Sequence, residues 1–172
     1  MTYPNSTQVR LAALTEADFD VVSKLGATIW REYYSKIISM AQIEYMLPKR
    51  FSPDILRKYL NSTVRWFEIL WLGDKPIGYC SYSLTSIPGV MKLEQIYLLK
   101  EFRRKGLGKF MLCNVESVAG KNELQNLTLQ VNKHNQDALA VYHKAGYQII
   151  AEALFDIGSG YFMDDFVMEK AL

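Results

Sequence analysis

Leu93-Glu94-Gln95-Ile96-Tyr97-Leu98-Leu99-Lys100-Glu101-Phe102-Arg103-Arg104-Lys105-Gly106-Leu107-Gly108-Lys109 is the stretch on which the fold turns. Its first part alternates apolar and polar residues and predicts a strand over Lys92 to Leu99. A loop with three basic residues and two glycines follows, and an apolar helical pattern opens at Gly108. A strand that runs through such a loop into a helix suits a diphosphate. The helix N-terminus leaves N–H groups unpaired, and its dipole favours an anion. Glycine lets the backbone approach closely. Arg103, Arg104, Lys105 and Lys109 add positive charge. The same residues would also suit a solvated basic turn ahead of a helix.

Two common phosphate motifs fail on these residues. A Walker A loop needs Gly at position 103 and Ser or Thr after Lys109, where the chain has Arg103 and Phe110. The dinucleotide fingerprint needs Gly at position 111, which is Met111.

Outward from this segment the pattern is mixed. Gln8 to Leu14 reads as a strand, and Thr15-x-x-Asp18 as a capping box with Asp in place of Glu. A helix with Phe19, Val22, Leu25, Ile29 and Tyr33 on one face follows. A second helix covers Ala41 to Leu47 and is expected to end at Pro48. Ser52-Pro53 starts a third, carrying Ile55, Leu56, Tyr59 and Leu60. Val64 to Leu72 and Ile77 to Leu84 form a hairpin whose Gly73-Asp74-Lys75-Pro76 junction predicts a loop longer than two residues. A helix from Gly108 to Val118 would turn Phe110, Met111, Cys113, Val115 and Val118 inward. Leu127 to Val131 is a strand, and Asn135 caps a helix through Lys144 that Gly146 ends. Tyr147 to Ala153 and Tyr161 to Met168 are two last strands, joined at Gly158-Ser159-Gly160.

The chain has 172 residues, 49% of them hydrophobic, so residues 1–172 are read as one domain with a core that needs no staples. With 20 Lys and Arg against 18 Asp and Glu, nothing suggests a nucleic-acid partner. No apolar run has the roughly 20 residues of a membrane span. Met1 to Ser6 lacks a basic stretch leading into an apolar one, so no secretory leader is expected. Cys80 and Cys113 lie in apolar segments and are expected to be buried thiols, which fits a cytoplasmic protein. His134 and His143 lack the spacing of a metal site, and no metal is expected.

Arg103-x-x-Gly106-x-Gly108 resembles the Gln/Arg-x-x-Gly-x-Gly/Ala loop of the GNAT superfamily of N-acetyltransferases. The preceding Ile96-Tyr97-Leu98 and the run Asn132-x-x-Asn135-x-x-Ala138-x-x-x-Tyr142-x-Lys144-x-Gly146-Tyr147 are also similar to that family, in its order and spacing. The resemblance implies an α/β (α+β) fold: a mixed, mostly antiparallel sheet of six to seven strands, flanked by four to five helices. It implies acetyl-CoA as cosubstrate and direct acetyl transfer to a primary amine. The loop Arg103, Arg104, Lys105, Gly106, Leu107, Gly108 and Lys109 would hold the pyrophosphate. The backbone of Ile96, Tyr97 and Leu98 would pair with pantetheine. Asn135 and Tyr142 would contact the cofactor, with Tyr142 as general acid. Some family members carry a Glu where this chain has Gln130, and an amide cannot act as a base at neutral pH. Glu94, with Lys92 at the same strand parity, is therefore the candidate general base.

Trp30, Tyr33 and Tyr34 are candidates for the acceptor site. Phe155-Asp156 and Tyr161 to Asp165 add aromatics and carboxylates, a composition that suits an aliphatic cation. The strand around Glu94 and the closing Asp165-Phe166-Val167-Met168 are weakly similar to bacterial spermidine/spermine N-acetyltransferases. The expected partner is thus a small-molecule amine, with the protein a monomer or homodimer. Three alternatives remain: a catalytically weak CoA-binding module, a protein N-acetyltransferase, and a phosphate or nucleic-acid binder using Arg103-Arg104-Lys105.

Overall fold

A computed structural model describes residues 9–172. The expected strand start at Gln8 and the reading of Met1 to Ser6 lie outside the described residues. Strands β1 (Val9–Ala13), β2 (Arg65–Leu72), β3 (Lys75–Leu84), β4 (Val90–Leu98), β5 (Asn126–Asn132), β6 (Gln148–Gly158) and β7 (Tyr161–Ala171) form one sheet, in the order β1-β2-β3-β4-β5-β7-β6. Among the described residues only the β4–β5 pair is parallel. The helices are α1 (Phe19–Tyr33), α2 (Met40–Phe51), α3 (Pro53–Leu56), α4 (Leu107–Lys121) and α5 (Gln136–Lys144). This is the expected fold class.

Apolar side chains bury on both faces of the sheet. Val22, Leu25, Ile29, Ile43 and Leu47 of α1 and α2 pack on Phe67, Ile69 and Tyr79. Met111, Leu112, Val115 and Leu139 of α4 and α5 pack on Met91, Leu93, Leu129 and Met168 from the other side. Strand alternation thus makes two apolar faces, one covered by α1 and α2 and the other by α4 and α5.

Four local expectations need correction. Pro48 does not end α2, which runs on to Phe51, and Ser52 N–H still bonds Pro48 O at 3.1 Å. A proline inside a helix costs about 3 kcal/mol. Burying Ile43, Met46, Leu47 and Phe51 on one face offsets that. The helix after Ser52 is shorter than expected: α3 gives way to a 3-10 turn over Arg57–Tyr59. The β2–β3 loop is only Gly73-Asp74, because Leu72 already pairs with Lys75. A bulge between Leu70 and Trp71 takes up the irregularity beside Pro76. Finally, Cys80 is buried but Cys113 is exposed, as is Phe110. The buried stripe of α4 is Leu107, Met111, Leu112, Val115 and Ala119, and Cys113 falls on the opposite side of the helix.

Other signals hold. The Asp18 carboxylate accepts from the Thr15 N–H at 2.9 Å and the Thr15 hydroxyl at 2.6 Å. Asn135 Oδ1 accepts from Ala138 N–H at 3.2 Å, capping α5. Gly146 takes φ 96°, the left-handed residue that ends it.

Candidate active site

The site begins with a failure of pairing. β4 and β5 run side by side from Val90↔Asn126 to Leu93↔Leu129, and there the ladder stops. β4 stays bonded to β3 as far as Leu98, and β5 stays bonded to β7 as far as Asn132. The cause is local. Ser81 pairs with Gln95 but Tyr82 pairs with Leu93, so Glu94 is an extra residue, a bulge that bends β4 away. Past the bulge, Leu99 N–H donates to Ile77 O on β3 at 2.9 Å. The backbone groups of Leu98, and of Ile96 by alternation, therefore point into the gap. Gly78 makes room for β4 here, since a Cβ on it would meet Tyr97 O at 2.5 Å.

At the mouth of the gap the loop enters α4. Arg104 (φ 61°) and Gly106 (φ 81°) are both left-handed, which curls the backbone around the helix start. Among the described residues no side chain caps α4, and Arg104, Lys105 and Lys109 are exposed around its first turn. Arg103 differs from its neighbours. Its Nε donates to Leu98 O at 3.0 Å, its guanidinium lies 5.0 Å over the Tyr33 ring, and Glu32 is 3.6 Å away. It clamps the loop to β4 and α1 and does not face outward like the other three.

Beyond the loop stands a cluster of tyrosines. Tyr33 donates to Asn135 Oδ1 at 2.5 Å, and the Tyr34 and Tyr97 hydroxyls share a hydrogen bond of 2.6 Å. Trp30 is 3% exposed and spends its indole N–H on Tyr79 at 3.1 Å, so it props this wall from behind. Tyr142 of α5 packs edge-on to Tyr147. Burial, reinforced by the Tyr34 and Tyr33 hydroxyls, pushes its phenol well above the ordinary tyrosine value. Tyr34 is pushed up to about 12, chiefly by burial. Both stay protonated at neutral pH.

The α1/α2 face of the gap is polar. The Glu94 carboxylate accepts from the Ser83 hydroxyl at 2.7 Å and from the Tyr59 hydroxyl at 3.3 Å. Lys92 Nζ donates to Gln130 Oε1 at 3.0 Å, and burial lowers its pKa. Gln95 donates to Ser81 Oγ at 3.2 Å. The arrangement gathers a basic glycine loop at a helix start, a strip of unpaired strand N–H groups, a protonated phenol and a carboxylate around one gap, a set of groups suited to acyl transfer to an amine.

Sequence reading placed the loop, Glu94, Asn135 and the tyrosines. It gives no site role to Gln95 or Tyr59, which lie on this face, and does not single out Asp165 from its neighbour Asp164. Strand parity signals the face on which Asp165 lies. The bulge that puts Glu94 and Gln95 on one face has no such signal. Among the described residues no group of three His, Cys, Asp or Glu side chains is arranged for a metal, and no helix is long and apolar enough to cross a membrane.

Known proteins share this architecture. The chain is 25% identical over 169 residues to the spermidine N(1)-acetyltransferase of Thermoplasma acidophilum, covering 94% of this chain and 96% of that one. It is 24% identical over 172 residues to an uncharacterized N-acetyltransferase of Lactobacillus delbrueckii subsp. lactis, covering 96% and 99%. The crystal structure of the PaiA N-acetyltransferase from Thermoplasma acidophilum in complex with coenzyme A superposes with a TM-score of 0.81 at 21% identity, over 95% of this chain and 99% of that one. The family model for the acetyltransferase (GNAT) family matches residues 28–147. That match takes in the bulged strand, the loop, the Asn135 cap and Tyr142, and the chain therefore belongs to the GNAT family of acetyltransferases.

Proposed function

We propose that this protein moves an acetyl group from acetyl-CoA to a primary amine by direct attack within a ternary complex. The observation that carries this reading is the parting of β4 from β5 after Leu93. It leaves the Ile96 backbone and the Leu98 N–H free for an extended pantetheine arm, with the basic loop at one end and the polar basin at the other. The diphosphate sits on the amides at the start of α4, with Arg104, Lys105 and Lys109 around it. Arg103 holds the loop in place. The Leu98 N–H polarises the thioester carbonyl.

The amine must lose a proton before its nitrogen can attack. Glu94 accepts that proton, directly or through a water. Attack forms the C–N bond, the thioester C–S bond breaks, and Tyr142 gives its phenolic proton to the departing sulfur. Cys80 is buried and Cys113 lies on the outer side of α4, so neither is placed as an acyl carrier. The aromatic wall of Tyr33 and Tyr34 and the carboxylates of the basin favour a polyamine or another small cationic amine. A binding module with little turnover is the second reading. It draws on Gln130, which fills a position where relatives can carry a carboxylate and is engaged by Lys92.

The test is thiol release from acetyl-CoA against a panel of amines that includes spermidine, at pH 7 and pH 9. Amine-dependent release supports the enzyme and names the acceptor class. Absence of release with every amine, while acetyl-CoA still binds, transfers the assignment to the binding module or to a protein acceptor absent from the panel.

A further inference from the structure

Asp164 and Asp165 are neighbours on β7, and alternation sends them to opposite faces of the sheet. Asp164 is half exposed and ion-paired to Lys133 at 2.7 Å. Asp165 lies on the α1/α2 face, opposite Asn132, in the part of the sheet where β5 has already left β4. It is only 6% exposed, and its Oδ1 is buried with no hydrogen-bond partner among the described residues. The charged or titratable groups that act on it are Lys92 from β4, Arg50 from α2, Lys133 from the turn after β5 and Asp164 from its own strand. Tyr34, at the end of α1, feels its charge in turn. None of these closes a hydrogen bond to Oδ1, and Lys92 is held by Gln130.

A second orphan stands across the gap. Gln95 on β4 is 4% exposed, its amide nitrogen is spent on Ser81, and its Oε1 is buried with no partner among the described residues. Both orphans are acceptors, and both belong to the α1/α2 face of one gap. A buried acceptor left unmet is costly, and more so if charged. Such atoms are rare in native structures and call for a reason, and a donor that arrives with a ligand supplies one. A protonated amine brings three N–H donors and the charge that a lone carboxylate lacks.

We propose that Asp165 is the counter-ion that seats the ammonium end of the acceptor, making the site select amines that are cationic at neutral pH. The proposal rests on the acetyl-transfer reading for its site and adds the residue that reads charge. Glu94, engaged by two hydroxyls, keeps the proton-accepting role. Asp165, on β7 one strand behind β5, holds the cation on that side of the gap.

The test uses D165N, which keeps the shape and removes the charge. With the cationic amine that the panel identifies, KM is expected to rise about tenfold or more, as for loss of one partner of a buried charge pair. Acetyl-CoA affinity by calorimetry and kcat are expected to stay close to wild type. An arylamine that is neutral at pH 7 should show no such rise. An unchanged KM in D165N, or an equal rise for the neutral amine, overturns the proposal. A second measurement needs neither the variant nor turnover. Binding of a trimethylammonium analogue of the acceptor to the wild-type protein with CoA is compared with its neutral tert-butyl isostere. Preference for the cation supports Asp165 as counter-ion, and equal affinity overturns it. Failure of the acetyl-transfer reading shows instead as no turnover of any amine by the wild type.

Discussion

The hydroxyl of Tyr33, the last residue of α1, donates to Oδ1 of Asn135, the cap of α5, at 2.5 Å. The two helices cover opposite faces of the sheet, and the two residues are 102 positions apart in the chain. The bond is made beyond the point where β4 and β5 part, and it ties together the walls of the gap. Arg103 lies over the same Tyr33 ring, so loop, cap and acceptor wall share one anchor.

This bond can be measured by a double-mutant cycle. Y33F removes the donor, and N135A removes both the acceptor and the cap. N135A alone is expected to cost about 1–2 kcal/mol in denaturant unfolding. The coupling between the two is expected at about 1 kcal/mol. N135A should also raise KM for acetyl-CoA, while Y33F, which frees the Asn135 oxygen, should not. Additive stability losses would mean the bond contributes nothing.

Tyr142 and Glu94 divide the proton work, so their variants should fail differently. Y142F is expected to lower kcat by about a hundredfold with little change in acetyl-CoA affinity. Because burial raises the phenol, the wild-type rate should show no falling limb from Tyr142 below pH 10. E94Q is expected to lower kcat/KM for the amine by a similar factor of about a hundred. Wild-type rates in E94Q at both pH 7 and pH 9 would take Glu94 out of the mechanism.

Gly106 precedes α4 at φ 81°, a conformation in which a Cβ is strained by about 1–2 kcal/mol. G106A should therefore reshape the loop. Acetyl-CoA affinity is expected to fall about tenfold by calorimetry, with the amine KM unchanged. Unaltered affinity would show that the loop amides do not hold the diphosphate.

Burial, and then the Asp164 charge, push the Asp165 carboxyl up to about 6. An unfolded Asp titrates near 3.9. Below pH 4 both states hold the proton, and the contribution of this group to stability is fully present. As pH rises through 6 the unfolded chain ionises in water while the folded one must ionise inside the protein, so that contribution is lost. D165N should flatten the pH dependence of unfolding between pH 4 and 6. At pH 7 it should be more stable than wild type by on the order of 1–2 kcal/mol, even as it binds the cationic acceptor more weakly. A destabilised D165N at pH 7 would instead mark Asp165 as a structural acceptor.

Periodicity and punctuation were enough for most elements. Gly106, Gly146, Asn135 and the Thr15–Asp18 pair act within a few residues of themselves, so their signals survive without a tertiary context. Pro48 and Cys113 show the limit. A proline is a local penalty, and only the burial of Ile43, Met46, Leu47 and Phe51 shows that it is outweighed. Cys113 sits in an apolar run, and only the packing of α4 on the sheet shows which side of the helix faces solvent.

The amino-acid order by itself determined the alternation of strands and helices, the basic glycine loop and the presence of Tyr142, Glu94 and Asn135, because each is a local pattern. The tertiary structure alone decided that the Glu94 bulge parts β4 from β5, that Arg103 turns inward while Arg104 turns out, and that Asp165 is buried while Asp164 is half exposed. Register and burial depend on partners far along the chain. A one-residue shift in pairing moves every side chain to the other face, and no local pattern records which shift occurs.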